Sequence, residues 1–162
     1  MVIRDATRDD LAGILAIYNE VIAHSTAVYV FQAVDLANRT AWFEGRKAAG
    51  YPVLVADDGG AVTGFASFGD FRPSPGYAWT VEHSVHIRAD RRGRGLGRAI
   101  VQTLIDQARA MGKHAMIGGV DADNVASLAL HRRLGFEPVA HFREVGRKFD
   151  RWLDLVFLQL LL

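Results

Sequence analysis

Arg92-Gly93-Arg94-Gly95-Leu96-Gly97 sets three glycines among arginines between an apolar strand-like run, Val81 to Arg88, and an amphipathic helical pattern that opens near Gly97. A strand must therefore turn through glycines directly into a helix. Glycine lets the backbone come close to a ligand, and the first amides of the helix, which have no partner within it, point at whatever lies there. Such a site favours phosphate. Arg92, Arg94 and Arg98 add fixed positive charge, which suits a pyrophosphate better than an isolated anion. A dinucleotide fingerprint is excluded, because counting from Gly93 the last place of G-x-G-x-x-G is Arg98. No Gly-Lys-Ser/Thr closes the turn as a Walker loop.

The patterns around this turn alternate between helical and strand periods. Leu11, Ile14, Leu15, Tyr18, Val21 and Ile22 fall on one helical face after Thr7, with Asp10 at the third helical position. A second helix is predicted from about Asp35 to Ala49, with Trp42 and Phe43 inward and Gly50 and Pro52 as its stop. Val53–Ala56 and Ala61–Gly69 read as a hairpin around Asp57-Asp58-Gly59-Gly60, and residues 72–76 as an irregular loop. The helix after the glycines carries Ile100, Leu104, Ile105, Ala108 and Met111 on one face and ends at Gly112. Beyond it come a strand, Ala115 to Val120, a helix from about Asn124 to Leu134 closed by Gly135, and two further strands. Leu153 to Leu162 is expected to be a buried final strand, since Asp154 and Gln159 interrupt it and it is too short to span a bilayer. This order predicts one α/β or α+β domain over residues 1–162, with a largely antiparallel sheet.

Half of the 162 residues are hydrophobic, enough for one sizeable core. A net charge of +1 with signs interspersed argues against a general nucleic-acid or membrane-surface binder. The absence of cysteine excludes thiolate metal sites and a cysteine nucleophile. His83 and His86 fall on opposite faces of a strand, and His24, His114 and His141 have no ligand spacing, so no metal is expected. The chain opens in a strand-like pattern without a signal-peptide run, which makes a cytoplasmic protein the expectation.

Arg92, Gly95 and Gly97 meet the Arg/Gln-x-x-Gly-x-Gly/Ala pattern of the acyl-CoA pyrophosphate loop in GNAT-superfamily N-acetyltransferases, and the whole element order resembles theirs. Asn124-Val125-Ala126-Ser127 followed by Leu130-His131-Arg132-Arg133-Leu134-Gly135-Phe136 is similar to the family's N-x-x-S…L-x-x-x-x-G-F segment. Tyr51–Ala56, Thr80–Val85 and Val145–Asp154 resemble the phosphinothricin and methionine sulfoximine acetyltransferase branch. Two places depart from it. Tyr29-Val30-Phe31 stands where an aromatic followed by Asn is common, and Asp121 where Glu is commoner.

The resemblance implies acetyl-CoA as cosubstrate, bound by the Arg92–Arg98 loop, by Asn124 and Ser127, and by the backbone of Val85, His86 and Ile87 acting as an edge for pantetheine. It also implies a mixed sheet, flanked by about four helices, whose central strands splay. Glu82, on the strand feeding the loop, is the candidate general base, because an amine nucleophile must lose a proton. His131 is the candidate acid or hydrogen-bond donor for the leaving sulfur. Arg72 is a candidate clamp for an acceptor carboxylate, with Phe31 and Tyr77 as apolar walls and His83 and Ser84 beside the base. The expected reaction is direct acetyl transfer to a small amino-acid-like amine by a homodimer. An acetyltransferase for protein or peptide amino termini and a non-catalytic acyl-CoA-binding module are the alternatives.

Overall fold

A computed structural model describes the whole chain, Met1–Leu162. In chain order the elements are β1 (Val2–Asp5), α1 (Leu11–His24), α2 (Leu36–Ala48), β2 (Val53–Asp58), β3 (Ala61–Asp70), β4 (Thr80–Ile87), α3 (Leu96–Ala110), β5 (Ala115–Asp121), α4 (Val125–Arg133), β6 (Glu137–Lys148) and β7 (Arg151–Leu161). The seven strands form one sheet in the order β1-β2-β3-β4-β5-β7-β6. Every neighbouring pair is antiparallel except β4 and β5. The expected mixed, largely antiparallel sheet with four helices is what the chain forms.

Local chemistry explains the boundaries. The Asp10 carboxylate accepts from the Thr7 amide at 2.7 Å and from its hydroxyl at 3.1 Å, and Arg4 grips it at 2.7 Å, fixing the entry to α1. Asp35 caps α2 through the Asn38 amide at 2.8 Å. The β2–β3 hairpin turns at Gly59 (φ 64) and Gly60 (φ 89), a pair of positive values that glycine adopts without strain. Met111, expected on the buried face of α3, is instead 42% exposed, because the helix ends at Ala110 and its side chain lies past the packed turns.

Helices cover both faces of the sheet. Along β2, Leu54 and Ala56 join the core beneath α3 with Ile100, Leu104 and Ile105, whereas Val53 and Val55 pack under α1 and α2 with Ile14, Ile17 and Phe43. Each such fully buried side chain contributes about 1.5–3 kcal/mol. β7 lies inside the sheet between β5 and β6, with Leu153, Val156 and Leu158 buried as expected of it and Trp152 and Leu161 exposed. Buried Lys148, at the end of β6, donates from Nζ to the carbonyls of Ser25 and Val28 at 2.6 and 2.8 Å. These two bonds pin the α1–α2 connection to the end of β6.

Candidate active site

The only parallel pair in the sheet is also where it opens. β4 and β5 pair from Thr80↔Ala115 to His83↔Gly118 and no further, although both strands run on. Beyond that point β4 stays paired with β3 as far as Ile87↔Gly64, and β5 with β7 as far as Asp121↔Leu155. The facing edges, Ser84–Ile87 and Gly119–Asp121, thus leave main-chain donors and acceptors unpaired across a gap. A cleft of about 330 Å³ fills it, reached by Glu82, His83, Ser84, Val85 and His86 from β4 and by Asn124, Ser127 and His131 from α4. Those eight predicted residues come together.

On one side of the cleft the glycine loop has the geometry of an anion cradle. Gly93 (φ 74) and Gly95 (φ 81) are left-handed, and Gly95 is the residue from which α3 starts. The first amide bonded back along α3 is that of Ala99, to the Gly95 carbonyl at 3.1 Å, so the amides of Leu96, Gly97 and Arg98 remain free. Gly97 lies where a Cβ would stand 3.3 Å from the Leu130 side chain, which keeps α3 and α4 close. Arg92 donates from Nε to the Ile87 carbonyl at 3.0 Å, tying the loop to the open end of β4. Arg88 and Arg91 are paired with Asp90 and Asp58, whereas Arg94 and Arg98 have no acidic partner. Free amides, left-handed glycines and unpaired guanidinium groups fit a pyrophosphate. Asn124 caps α4, its Oδ1 accepting from the Ser127 amide at 3.1 Å.

The same side holds a pair of imidazoles. His131 Nδ1 donates to the Ser127 carbonyl at 2.7 Å, which leaves its Nε2 as an acceptor, 3.0 Å from His83 Nε2. The rings stack with centroids 5.0 Å apart, and His131 is only 2% exposed. Burial pushes His83 down to about 3, with the neighbouring His131 and His86 adding to the effect, and lowers His131 as well. Both rings are neutral at pH 7, and both nitrogens of His131 are engaged. His83 Nδ1 is buried without a partner.

Strand alternation turns Glu82, Ser84 and His86 to the opposite side. His86 packs against Tyr18 and Phe65 there. The Glu82 carboxyl is raised above the usual range by burial, against the pull of Arg72 and Arg46. Phe71, Tyr77, Phe142 and Phe157 form a chain of ring contacts on this side, and the Arg72 guanidinium sits 4.4 Å over the Phe71 ring. Arg72 is therefore close enough to act on Glu82, while Tyr77 packs on Phe71; both are exposed and neither lines the cleft. Phe31 is not brought to it. That ring is 73% exposed and lies beside Arg147–Asp150, because the Lys148 clamp draws its segment to the β6–β7 turn and leaves Ala27 and Val28 to wall the cleft.

Several cleft residues were not anticipated. A Cβ at Gly118 would stand 2.7 Å from His131 Nε2, and one at Gly119 would stand 3.4 Å from the Phe157 ring and 3.5 Å from Glu82 Oε1. Two glycines inside a strand are a sequence signal of close approach. Asp121 accepts from the Asp123 amide at 3.0 Å through Oδ1, and its buried Oδ2 has no partner. Tyr18 and Arg39 also line the cleft, with the Arg39 guanidinium 4.0 Å over the Tyr18 ring. Nothing in the local pattern of α1 or α2 marks these two, because their meeting depends on how the helices pack.

Comparison with known proteins agrees with this geometry. The model of the acetyltransferase (GNAT) family matches residues 14–136. The L-methionine sulfoximine/L-methionine sulfone acetyltransferase of Pseudomonas paraeruginosa is 55% identical over 159 residues, 98% of this chain and 92% of that protein. Among solved structures, the ribosomal-protein-alanine N-acetyltransferase of Brucella melitensis superposes with a TM-score of 0.98 at 46% identity, covering 100% of both chains. The yncA protein of Salmonella typhimurium, solved with its cofactor acetyl-CoA, superposes with a TM-score of 0.97 at 49% identity, covering 99% of this chain and 93% of that one.

Proposed function

This chain belongs to the GNAT family and is an acetyl-CoA-dependent N-acetyltransferase, and we propose that it acetylates the amine of a small amino-acid analogue of the methionine sulfoximine, methionine sulfone or phosphinothricin type. The observation that carries this reading is Glu82: a carboxyl raised by burial, standing at the point where β4 and β5 part, with arginines and aromatic rings on its own side and the amide cradle on the other. Acetyl-CoA supplies an acetyl group activated as a thioester. The amides of Leu96, Gly97 and Arg98, with Arg94 and Arg98, hold the pyrophosphate. The open edge at Val85–Ile87 takes the pantetheine amides as an added strand, with Asn124 and Ser127 along its path.

On the acceptor side the amine arrives as an ammonium group, and Glu82 accepts its proton directly or through one water. A raised carboxyl pKa suits that task at neutral pH. Attack is direct within a ternary complex, with positioning supplying much of the rate. His131 contributes less than Glu82, since neither of its nitrogens is free, and a thiolate departs readily. The whole chain acts as one domain. The α1–α2 connection, held by Lys148 against the cleft, favours a small acceptor over the open groove that a peptide needs.

Val139, Phe142 and Val145 are exposed on β6, an edge strand, and that uncovered apolar surface supports a homodimer. A need for acetyl-CoA supports a cytoplasmic location. The test is a free-thiol turnover assay with acetyl-CoA across methionine sulfone, methionine sulfoximine, phosphinothricin and alanine-terminated peptides. The amino-acid analogues should give the higher kcat/KM. Faster turnover of peptides would replace this acceptor by protein amino termini, and binding without any turnover would reduce the protein to an acyl-CoA-binding module.

A further inference from the structure

Most cations of this protein that are not fully exposed have partners. Arg4 is held by Asp10 and Asp57, Arg88 by Asp90 and Arg91 by Asp58. Arg39, buried in α2, donates to Asn38 Oδ1 at 2.8 and 3.0 Å and lies over two aromatic rings. Arg46, two turns further along the same helix, is different. It is half-buried, forms no ion pair and no hydrogen bond, and its Nε is buried without a partner. The Asp70 carboxylate nearby is engaged by the Tyr51 hydroxyl. A guanidinium removed from water and left unpaired is costly, which marks it as a group that awaits an anion.

Its position identifies the anion. The Arg46 guanidinium lies over Gly69 of β3, where any Cβ would fall inside it. Gly69 is the cross-strand partner of Glu82, and residues so paired share a face of the sheet at about 4.5–5.5 Å. The free guanidinium and the base therefore stand side by side on the acceptor side. An α-amino acid carries its amine and its carboxylate on one carbon, so the two groups match its two charges. Arg72 is the outer cation, on an exposed loop, whereas Arg46 is fixed in advance by a helix and by the missing side chain at 69.

We propose that Arg46 binds the α-carboxylate of the acceptor and sets the preference for amino acids over simple amines. This rests on the acceptor reading above. The test compares methionine sulfone with its decarboxylated amine, 3-(methylsulfonyl)propan-1-amine, in the full-length protein. The wild type favours the amino acid, and Arg46→Met lowers that ratio of kcat/KM by roughly 10- to 100-fold, the worth of a hydrogen-bonded charge, through the acceptor KM and with the acetyl-CoA KM unchanged. Arg46→Lys keeps part of the preference. Gly69→Ala, which displaces the guanidinium without removing it, reproduces the loss and carries the test if Arg46→Met does not fold. A folded Arg46→Met, or in its place Gly69→Ala, that keeps the wild-type ratio overturns the assignment while leaving the acceptor class intact. A wild type that acetylates neither compound removes both.

Discussion

Replacing Glu82 by Gln isolates the chemistry of the proposed base from its place in the fold. No hydrogen bond from the protein reaches the Glu82 carboxyl; only burial and the fields of Arg72 and Arg46 act on it. Gln has nearly the same shape and leaves no partner unpaired, so packing and acetyl-CoA binding should be kept. Removal of a general base usually costs 10² to 10⁴ in rate, and the lower figure, about 2.7 kcal/mol of barrier, is the minimum expected of Glu82→Gln. Stability moves the other way. Burial raises the carboxyl in the folded state, so the native protein binds this proton more tightly than the unfolded chain, and the charged form opposes folding once pH exceeds the unfolded value near 4.5. The variant should melt at the wild-type temperature or slightly above it at pH 7. The assay is free-thiol release with methionine sulfone from pH 5 to 9, alongside thermal melts. Wild-type kcat/KM should fall on the acid side as Glu82 is protonated, and that limb should flatten in the variant. A variant with near-wild-type turnover and an unchanged limb would show that the amine loses its proton elsewhere, and the role given to Glu82 would be wrong.

Acetyl-CoA at about 100 times its Kd should add about 2.7 kcal/mol, or roughly 5–10 °C in Tm for a chain of this size, whereas a nicotinamide dinucleotide should add nothing; Gly95→Leu should abolish the shift by forcing a side chain onto a left-handed residue. Because burial pushes His83 down to about 3 from 6.5, the unfolded chain binds the extra proton between those values, so stability present above about pH 6.5 should fall as the medium is acidified. Urea denaturation from pH 7 to 4 should show this slope, and His83→Phe should reduce it. His131→Phe should lower turnover less than Glu82→Gln does, measured by the same thiol assay. Light scattering at tens of micromolar should give about twice 17.8 kDa, and a monomer mass would remove the dimer.

What could be read from the sequence follows the range of the interaction. Periodicity and glycine punctuation located ten of the eleven strands and helices within a few residues and counted β6 without bounding it, because caps such as Thr7, Asp35 and Asn124 and stops such as Gly50, Gly112 and Gly135 act within one turn. Glu82 and the Arg92–Arg98 loop could be placed for the same reason: both belong to one continuous strand-turn-helix segment, and the roles proposed for them remain for the assays above to decide. The His83–His131 pair spans 48 positions and the Arg46–Gly69–Glu82 stack joins three elements, so neither has a local signature. Phe31 lies away from the cleft because tertiary bonds, Lys148 to the Ser25 and Val28 carbonyls and Asn19 to Val34, set where residues 25–35 run.

The alternation of one strand organises the whole site. Between Glu82 and Ile87 each successive side chain changes sides, so Glu82 faces α2 and the loop after β3 while the next residue, His83, faces α4. Gly118 and Gly119 on the partner strand repeat the alternation, the first making room for the imidazole pair and the second facing Glu82 and Phe157 at contact distance. In the proposed reaction, acceptor and acetyl donor enter from opposite sides of the sheet and meet only where the β4–β5 ladder stops, after His83↔Gly118. One additional rung of pairing would close the gap between them. A side chain at Gly118 would act differently: its Cβ would press on the imidazoles and leave Glu82 untouched, so Gly118→Ala should weaken acetyl-CoA binding while the acid limb set by Glu82 stays in place. Loss of that limb in a folded Gly118→Ala protein would mean that the two faces are not independent.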